Sequence, residues 1–168
     1  MKLPQDKITV LPLTLQQLSW MIEDMPSLEA DLGLAYRGEW IDNEFRDILI
    51  FQKQHIEQEL AHLLFYTLWL FVLNGQFIIG SACFKGPPNT QGEIEIGYGI
   101  SLIFQNLGYT TNAIAQVCTL AFTMPGIKAI VAETDIGNIA SHRVLQKCRF
   151  TRYKQVEQFY WWRLPANA

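Results

Sequence analysis

The sequence contains little charge and few cysteines, and both shortages limit what the protein can be. Only 17% of its 168 residues are Asp, Glu, Lys or Arg, and the formal net charge is −3. This balance argues against a general nucleic-acid-binding protein, which needs a strongly basic surface. The cysteines, Cys83, Cys118 and Cys148, are odd in number and widely spaced, so they suggest neither a disulfide framework nor a thiolate metal site. We therefore expect no bound metal and a reducing, cytoplasmic environment.

Long apolar runs are also missing. The stretch from Leu60 to Leu73 has fourteen residues, includes His62 and ends at the turn pair Asn74-Gly75, whereas a membrane helix needs about 20 residues. We therefore expect no membrane partner. The chain is 49% hydrophobic, and its length is close to the ~150 residues of a typical domain. We expect residues 1–168 to form a single domain with one core.

Periodicity and turn residues predict an α+β protein with about seven strands and about four helices. Helices are predicted after the N-cap residue Thr14 and over residues 45–64, 109–123 and 139–148. The predicted strands cover residues 7–13, 66–73, 76–84, 92–101, 127–132, 150–153 and 158–164.

The most informative segment for chemistry is Gln105 to Thr111, which joins the fourth predicted strand to the helix that follows. The first turn of a helix has backbone N–H groups without intrahelical partners and carries a partial positive charge. A glycine at position 108 lets the backbone approach a ligand closely. These features favour binding of a phosphate, although one glycine before a helix also occurs in ordinary turns.

Two motifs resemble those of the GNAT N-acetyltransferase superfamily. The loop QNLGYT is similar to its acyl-CoA motif Q/R-x-x-G-x-G/A, with Thr110 departing from the small last residue. The segment ETDIGNIASHRVLQKCRF, residues 133–150, resembles E-T-x-x-x-N-x-x-S-x-R-V-L-x-K-x-G-F, with Arg149 in place of glycine. The resemblance spans roughly residues 8–164. It is strongest toward the branch that includes ribosomal-protein N-terminal acetyltransferases.

The resemblance implies a mixed, mostly antiparallel sheet, flanked by helices and opened into a V where the fourth and fifth strands diverge. It implies acetyl-CoA as the cosubstrate, lying in this V. The pantetheine would pair with strand backbone, and the pyrophosphate would meet the N–H groups of the helix start. The residues assigned to acetyl-CoA in this way are Tyr98, Gly99, Ile100, Gln105, Asn106, Leu107, Gly108, Tyr109, Thr110, Thr111, Asn138 and Ser141.

Acetyl transfer to an amine needs a group that removes the proton of the ammonium, and two carboxylates are candidates. Glu133 ends the fifth predicted strand and opens the second motif, and Glu95 on the fourth strand is the alternative. A solvated strand carboxylate is the competing interpretation of each. Many members of the superfamily place a tyrosine seven residues after the motif asparagine. Here that residue is Leu145, and the resemblance to the ribosomal-protein branch implies Ser141 as the general acid instead. A helix-surface hydroxyl is the competing interpretation of Ser141.

We predict that the protein acetylates a primary amine, either a peptide N-terminus or a small amine, by direct attack in a ternary complex. A non-catalytic acyl-CoA-binding or interaction module on the same fold is the alternative, because fold does not guarantee activity. Ten acidic residues lie between Thr14 and Glu59, against three basic ones. The resemblance implies that this segment forms one wall of the acceptor site, where these residues would attract a cationic acceptor. The alternative is a solvated face that only aids solubility. A homodimer is one of the states that the sequence leaves open.

Overall fold

The computed structural model describes residues 5–39 and 41–167, which contain eight strands, six helices and two short 3₁₀ turns. The strands are β1 (Ile8–Pro12), β2 (Ala35–Tyr36), β3 (Leu68–Leu73), β4 (Phe77–Phe84), β5 (Glu93–Ile100), β6 (Ala129–Asp135), β7 (Thr151–Val156) and β8 (Phe159–Pro165). The helices are α1 (Leu15–Glu23), α2 (Met25–Leu32), α3 (Asn43–Gln58), α4 (Leu63–Tyr66), α5 (Tyr109–Ala121) and α6 (Ile139–Lys147).

The strands form one mixed sheet in the order β1-β3-β4-β5-β6-β8-β7, with β2 paired to β4. The β2–β4 and β5–β6 pairs are parallel, and the other pairs are antiparallel. Strands β5 and β6 are in register only from Glu93 opposite Ala129 to Glu95 opposite Val131. Beyond these residues the two strands diverge and open the sheet into a V. The predicted fold class is confirmed.

The N-terminal helices are more divided than the sequence predicted. Asp24 leaves the helical conformation, ends α1, and accepts the backbone N–H of Ser27 (3.3 Å) as the N-cap of α2. The predicted helix over residues 45–64 is wrong beyond Gln58, because Glu59 takes an extended conformation and ends α3. The four-residue α4 and the two-residue β2 are too short to show a period in the sequence. The described residues therefore contain six helices and eight strands, whereas the sequence predicts about four helices and about seven strands.

Apolar side chains pack on both faces of the sheet. Ile94 and Ile96 of β5 belong to a core shared with α5 and α6. Helices α1 to α3 cover the other face with a second apolar cluster, so the sheet divides the expected single core into two. Because side chains alternate along a strand, the side chain of Glu95, between Ile94 and Ile96, points to this second face, and Gly97 lies on the same face. None of the described helices has the length and apolarity needed to cross a membrane.

Arg149 occupies a backbone conformation that favours glycine. Its φ is +68°, directly after α6, and its N–H donates to the carbonyl of Gln146 (3.0 Å). A side chain in this left-handed region costs ~1–2 kcal/mol, part of which is offset by the greater unfolded-state freedom of glycine.

We therefore expect Arg149→Gly to raise the free energy of unfolding by about 0.5–1 kcal/mol. Denaturant titration measures this change. Arg149→Ala is the control, because it removes the long side chain and keeps the strained Cβ. An equal gain in both variants would show that the side chain, and not the backbone, is the source of strain.

Candidate active site

The divergence of β5 and β6 is accompanied by two cavities that meet at the end of β5, where Tyr98, Gly99 and Ile100 line both. The first, called here the helix-start cleft, has a volume of about 560 Å³. Its other lining residues are Phe104, Gln105, Asn106, Gly108, Tyr109, Thr110, Thr111, Asn138, Ile139, Ala140, Ser141, Arg143, Val144 and Lys147. The second, called here the α3 cavity, has a volume of about 850 Å³ and lies between α3 and strands β4 and β5.

The start of α5 forms one wall of the helix-start cleft. Gly108, with φ +82°, precedes the helix, and a Cβ built on it would have open space around it. The first intrahelical bond runs from the N–H of Asn112 to the carbonyl of Gly108 (3.1 Å), and no described side chain caps this end. The N–H groups of Tyr109 to Thr111 precede this bond. They are therefore available to an anion in the cleft.

The start of α6 forms the opposite wall. The N–H of Ser141 donates to Oδ1 of Asn138 (3.1 Å), and the hydroxyl of Tyr98 donates to the carbonyl of Ser141 (3.4 Å). These contacts fix α6 against β5. Arg143 and Lys147 also line the cleft, and sequence reasoning missed both. Their spacing of four residues in a helix was the signal that could have placed them on one face.

The fold brings together most of the residues predicted to contact acetyl-CoA. All of them line the helix-start cleft except Leu107, whose side chain is exposed outside it. Cationic groups and helix N–H groups thus occupy two walls, and the edge of β5 that β6 leaves unpaired forms a third side. Binding of acetyl-CoA by these individual residues stays a prediction.

Of the three candidate catalytic residues, only Ser141 lines a cavity. Ser141 is half-buried in the helix-start cleft. Glu133 is exposed on β6, beyond the last β5–β6 pair and opposite Trp161 of β8. Glu95 forms an ion pair with Lys85, which directly follows the neighbouring strand β4. The two carboxylates share one face of the sheet, and neither lines a cavity. Their roles stay predictions.

Three of the ten acidic residues in the predicted acidic wall line the α3 cavity. Glu39 accepts the hydroxyl of Ser101 (3.0 Å) and a backbone N–H (2.7 Å), and Asp42 accepts the N–H of Phe45 (2.8 Å) at the start of α3. Asp47 makes no side-chain hydrogen bond or ion pair within the described residues. Attraction of a cationic acceptor by this wall stays a prediction.

Burial keeps several titratable side chains neutral. It raises the pKa of Tyr36, which lines the α3 cavity, to about 12, with the charge of Glu39 adding to the effect. It also raises the pKa of Cys118 to about 12 and of Cys148 to about 11. These thiols are packed as small core side chains rather than activated as nucleophiles. No group of three or more His, Cys, Asp or Glu residues within the described ranges could hold a metal ion.

Comparison with known proteins gives the family of the chain. A family model described as an acetyltransferase (GNAT) domain matches residues 17–151. The chain is 25% identical over 150 residues to the uncharacterized N-acetyltransferase YjdG of Bacillus subtilis (strain 168), with 82% of this chain and 89% of that relative covered.

Solved structures share the fold. Spermidine N-acetyltransferase from Vibrio cholerae in complex with CoA and spermine is similar with a TM-score of 0.68 and 15% identity, covering 95% of this chain and 96% of that one. The RimL ribosomal-protein acetyltransferase in complex with coenzyme A is similar with a TM-score of 0.67 and 14% identity, covering 94% and 93%. Because the matched family model includes the start of α5 and all of α6, together with most of the remaining chain, the protein belongs to the GNAT acetyltransferase family.

Proposed function

We propose that this acetyl-CoA-dependent acetyltransferase moves an acetyl group onto a primary amine by direct attack in a ternary complex. The observation that carries the proposal is the meeting of two cavities at Tyr98 to Ile100. Direct transfer requires that the acyl donor and the acceptor be held on either side of one point. The helix-start cleft would hold the donor, and the α3 cavity would hold the acceptor.

The residues of the helix-start cleft fit the polar groups of acetyl-CoA. The first N–H groups of α5 and the side chains of Arg143 and Lys147 suit its phosphates. The amide NH₂ of Asn138 is left to donate, because its Oδ1 already caps α6. When bound, acetyl-CoA supplies a thioester whose acetyl carbon bonds to the amine nitrogen while its carbon–sulfur bond breaks and CoA leaves as the thiol.

We assign the removal of the ammonium proton to Glu133, with Glu95 as the alternative. Glu133 makes no side-chain hydrogen bond or ion pair within the described residues, whereas Glu95 is paired with Lys85. An uncommitted carboxylate at the opening of the sheet is the better proton acceptor. The hydroxyl of Ser141, in the helix-start cleft, would donate its proton to the leaving sulfur and take up the second proton that the amine nitrogen loses as the amide forms.

The names of the similar proteins support an amine acceptor but do not choose one. One is a spermidine acetyltransferase, and another acetylates a ribosomal protein. A peptide N-terminus and a small amine both stay within the proposal. We also propose that residues 1–168 act as a single domain in the cytoplasm, without nucleic-acid or membrane partners.

Released thiol, measured with acetyl-CoA and a panel of primary amines, tests the activity. We expect release above the rate without amine for at least one acceptor, and mass spectrometry should show that acceptor gaining one acetyl group. Calorimetry with acetyl-CoA alone is the parallel measurement. Binding without amine-dependent thiol release across the panel would favour the non-catalytic acyl-CoA-binding module.

A further inference from the structure

The α3 cavity combines apolar walls with one buried, unsatisfied polar atom. We infer that its ligand is a primary amine joined to a bulky apolar body that carries a hydrogen-bond donor, and that Gln52 recognises this donor. The inference rests on the proposed function, because it names the acceptor that the α3 cavity would hold. It assigns Gln52 a role in acceptor specificity.

The walls of the α3 cavity are mainly aromatic and aliphatic. Phe45, Ile48 and Phe51 of α3 line it together with Tyr66 and Leu68. Ile48 and Phe51, one turn apart on α3, remain 45% and 56% exposed. An apolar body in the cavity would remove these surfaces from water. Such contacts favour a ligand with an aromatic or branched aliphatic body.

Gln52 supplies the polar feature. Gln52 lines the α3 cavity and is only 4% exposed. Its side-chain oxygen Oε1 is buried and has no hydrogen-bond partner among the described residues. Gln52 also lowers the pKa of the neighbouring Cys83 thiol, against the larger, raising effect of burial. A buried carbonyl oxygen without a donor is unfavourable. A donor on the ligand would satisfy this oxygen.

The charged side chains in the lining of the α3 cavity are three carboxylates, Glu39, Asp42 and Asp47, and one lysine, Lys85. Glu39 and Asp42 already accept hydrogen bonds from the protein. Lys85 is paired with Glu95, and Asp47 is the remaining carboxylate of the lining without a partner among the described residues. We assign the ammonium group of the ligand to Asp47. A polyamine would place further charges against apolar walls, which is costly.

Two kinds of molecule could carry such an apolar primary amine, a small aromatic amine and a peptide N-terminus. Different test acceptors distinguish between them. A small aromatic amine is represented by 2-phenylethylamine and by tyramine, which adds a hydroxyl donor to the same body. A peptide N-terminus is represented by a peptide that begins with phenylalanine, compared with the same peptide beginning with serine. Ethanolamine and spermidine represent polar and polycationic acceptors.

We expect kcat/KM for the apolar amines to exceed that for ethanolamine and spermidine by at least about tenfold, from burial of the apolar body. Calorimetry of 2-phenylethylamine on the CoA-loaded protein provides a binding readout that is independent of turnover. Binding without thiol release would contradict the proposed function and support this inference. Efficient acetylation of spermidine or ethanolamine, with the apolar amines poor acceptors, would overturn this inference and leave the proposed function standing.

Gln52→Leu tests the polar contact, and Gln54→Leu is the matched control, because Gln54 is exposed on the same helix. Removing an unsatisfied buried oxygen should leave stability unchanged or improved. We expect Gln52→Leu to lower the ratio of kcat/KM for tyramine to that for 2-phenylethylamine by about 3- to 10-fold. Gln54→Leu should leave this ratio unchanged. An unchanged ratio in folded Gln52→Leu, for tyramine and for an indole amine with its N–H donor, would overturn the role of Gln52.

Discussion

Replacing Gly108 with tryptophan should lower the affinity for acetyl-CoA by about 100-fold or more, as measured by calorimetry. Gly108 lines the helix-start cleft, and the space around a Cβ at this position is open. An indole ring would therefore extend into the space in front of the first N–H groups of α5. Charge-assisted hydrogen bonds are worth about 1.5–3 kcal/mol each, so the loss of two of them gives a decrease of this size.

Gly126→Trp is the matched control for Gly108→Trp. Gly126 has φ +83°, close to the +82° of Gly108, and a Cβ at this position also meets nothing within 4 Å. It lines neither cavity. Both variants should lose similar stability through backbone strain, but only Gly108→Trp should lose acetyl-CoA affinity. Equal acetyl-CoA affinities in the two folded variants would show that the phosphates of acetyl-CoA do not bind at the start of α5.

The local signals of the sequence predicted much of the fold. Asn74 and Gly75 both have positive φ, as the Asn-Gly turn between β3 and β4 requires. Helices α5 and α6 begin at Tyr109 and Ile139, where the motifs place them. Turn residues and helix-capping residues act over a few positions. Turns and helix starts can therefore be predicted from a short segment of sequence. The breaks at Asp24 and Glu59 were missed, because helical periodicity continues across both.

The α3 cavity could not be predicted in the same way. Its walls combine side chains from α3, β4 and β5, which are distant in sequence, and their relative placement depends on tertiary packing. The acidic residues near α3 illustrate the difference. Counting their charges predicts a cation-attracting wall, which stays a prediction, but does not show that Glu39 and Asp42 also form hydrogen bonds with Ser101 and Phe45. The net charge of a segment does not show which of its carboxylates accept hydrogen bonds from the protein.

The last expected result concerns the proton acceptor. Glu133→Gln should lower kcat/KM for the best amine by about 10²–10⁴-fold, the usual contribution of general-base catalysis. Glu133 lies where β6 has separated from β5, so its side chain is exposed at the opening of the V. Glutamine keeps nearly the same volume and removes the ability to accept the ammonium proton. Because Glu133 does not line the helix-start cleft, affinity for acetyl-CoA should not change.

Glu95→Gln is the comparison that decides between the two carboxylates. It breaks the ion pair with Lys85, but a partly exposed pair contributes only about 0–1 kcal/mol to stability, so the variant should fold. If Glu133 is the base, Glu95→Gln should retain most activity. The rate of Glu133→Gln should then recover at alkaline pH, where the amine loses its proton without help. Full activity of Glu133→Gln at neutral pH, with loss in Glu95→Gln, would move the proton acceptor to Glu95 and leave Glu133 as a solvated strand residue.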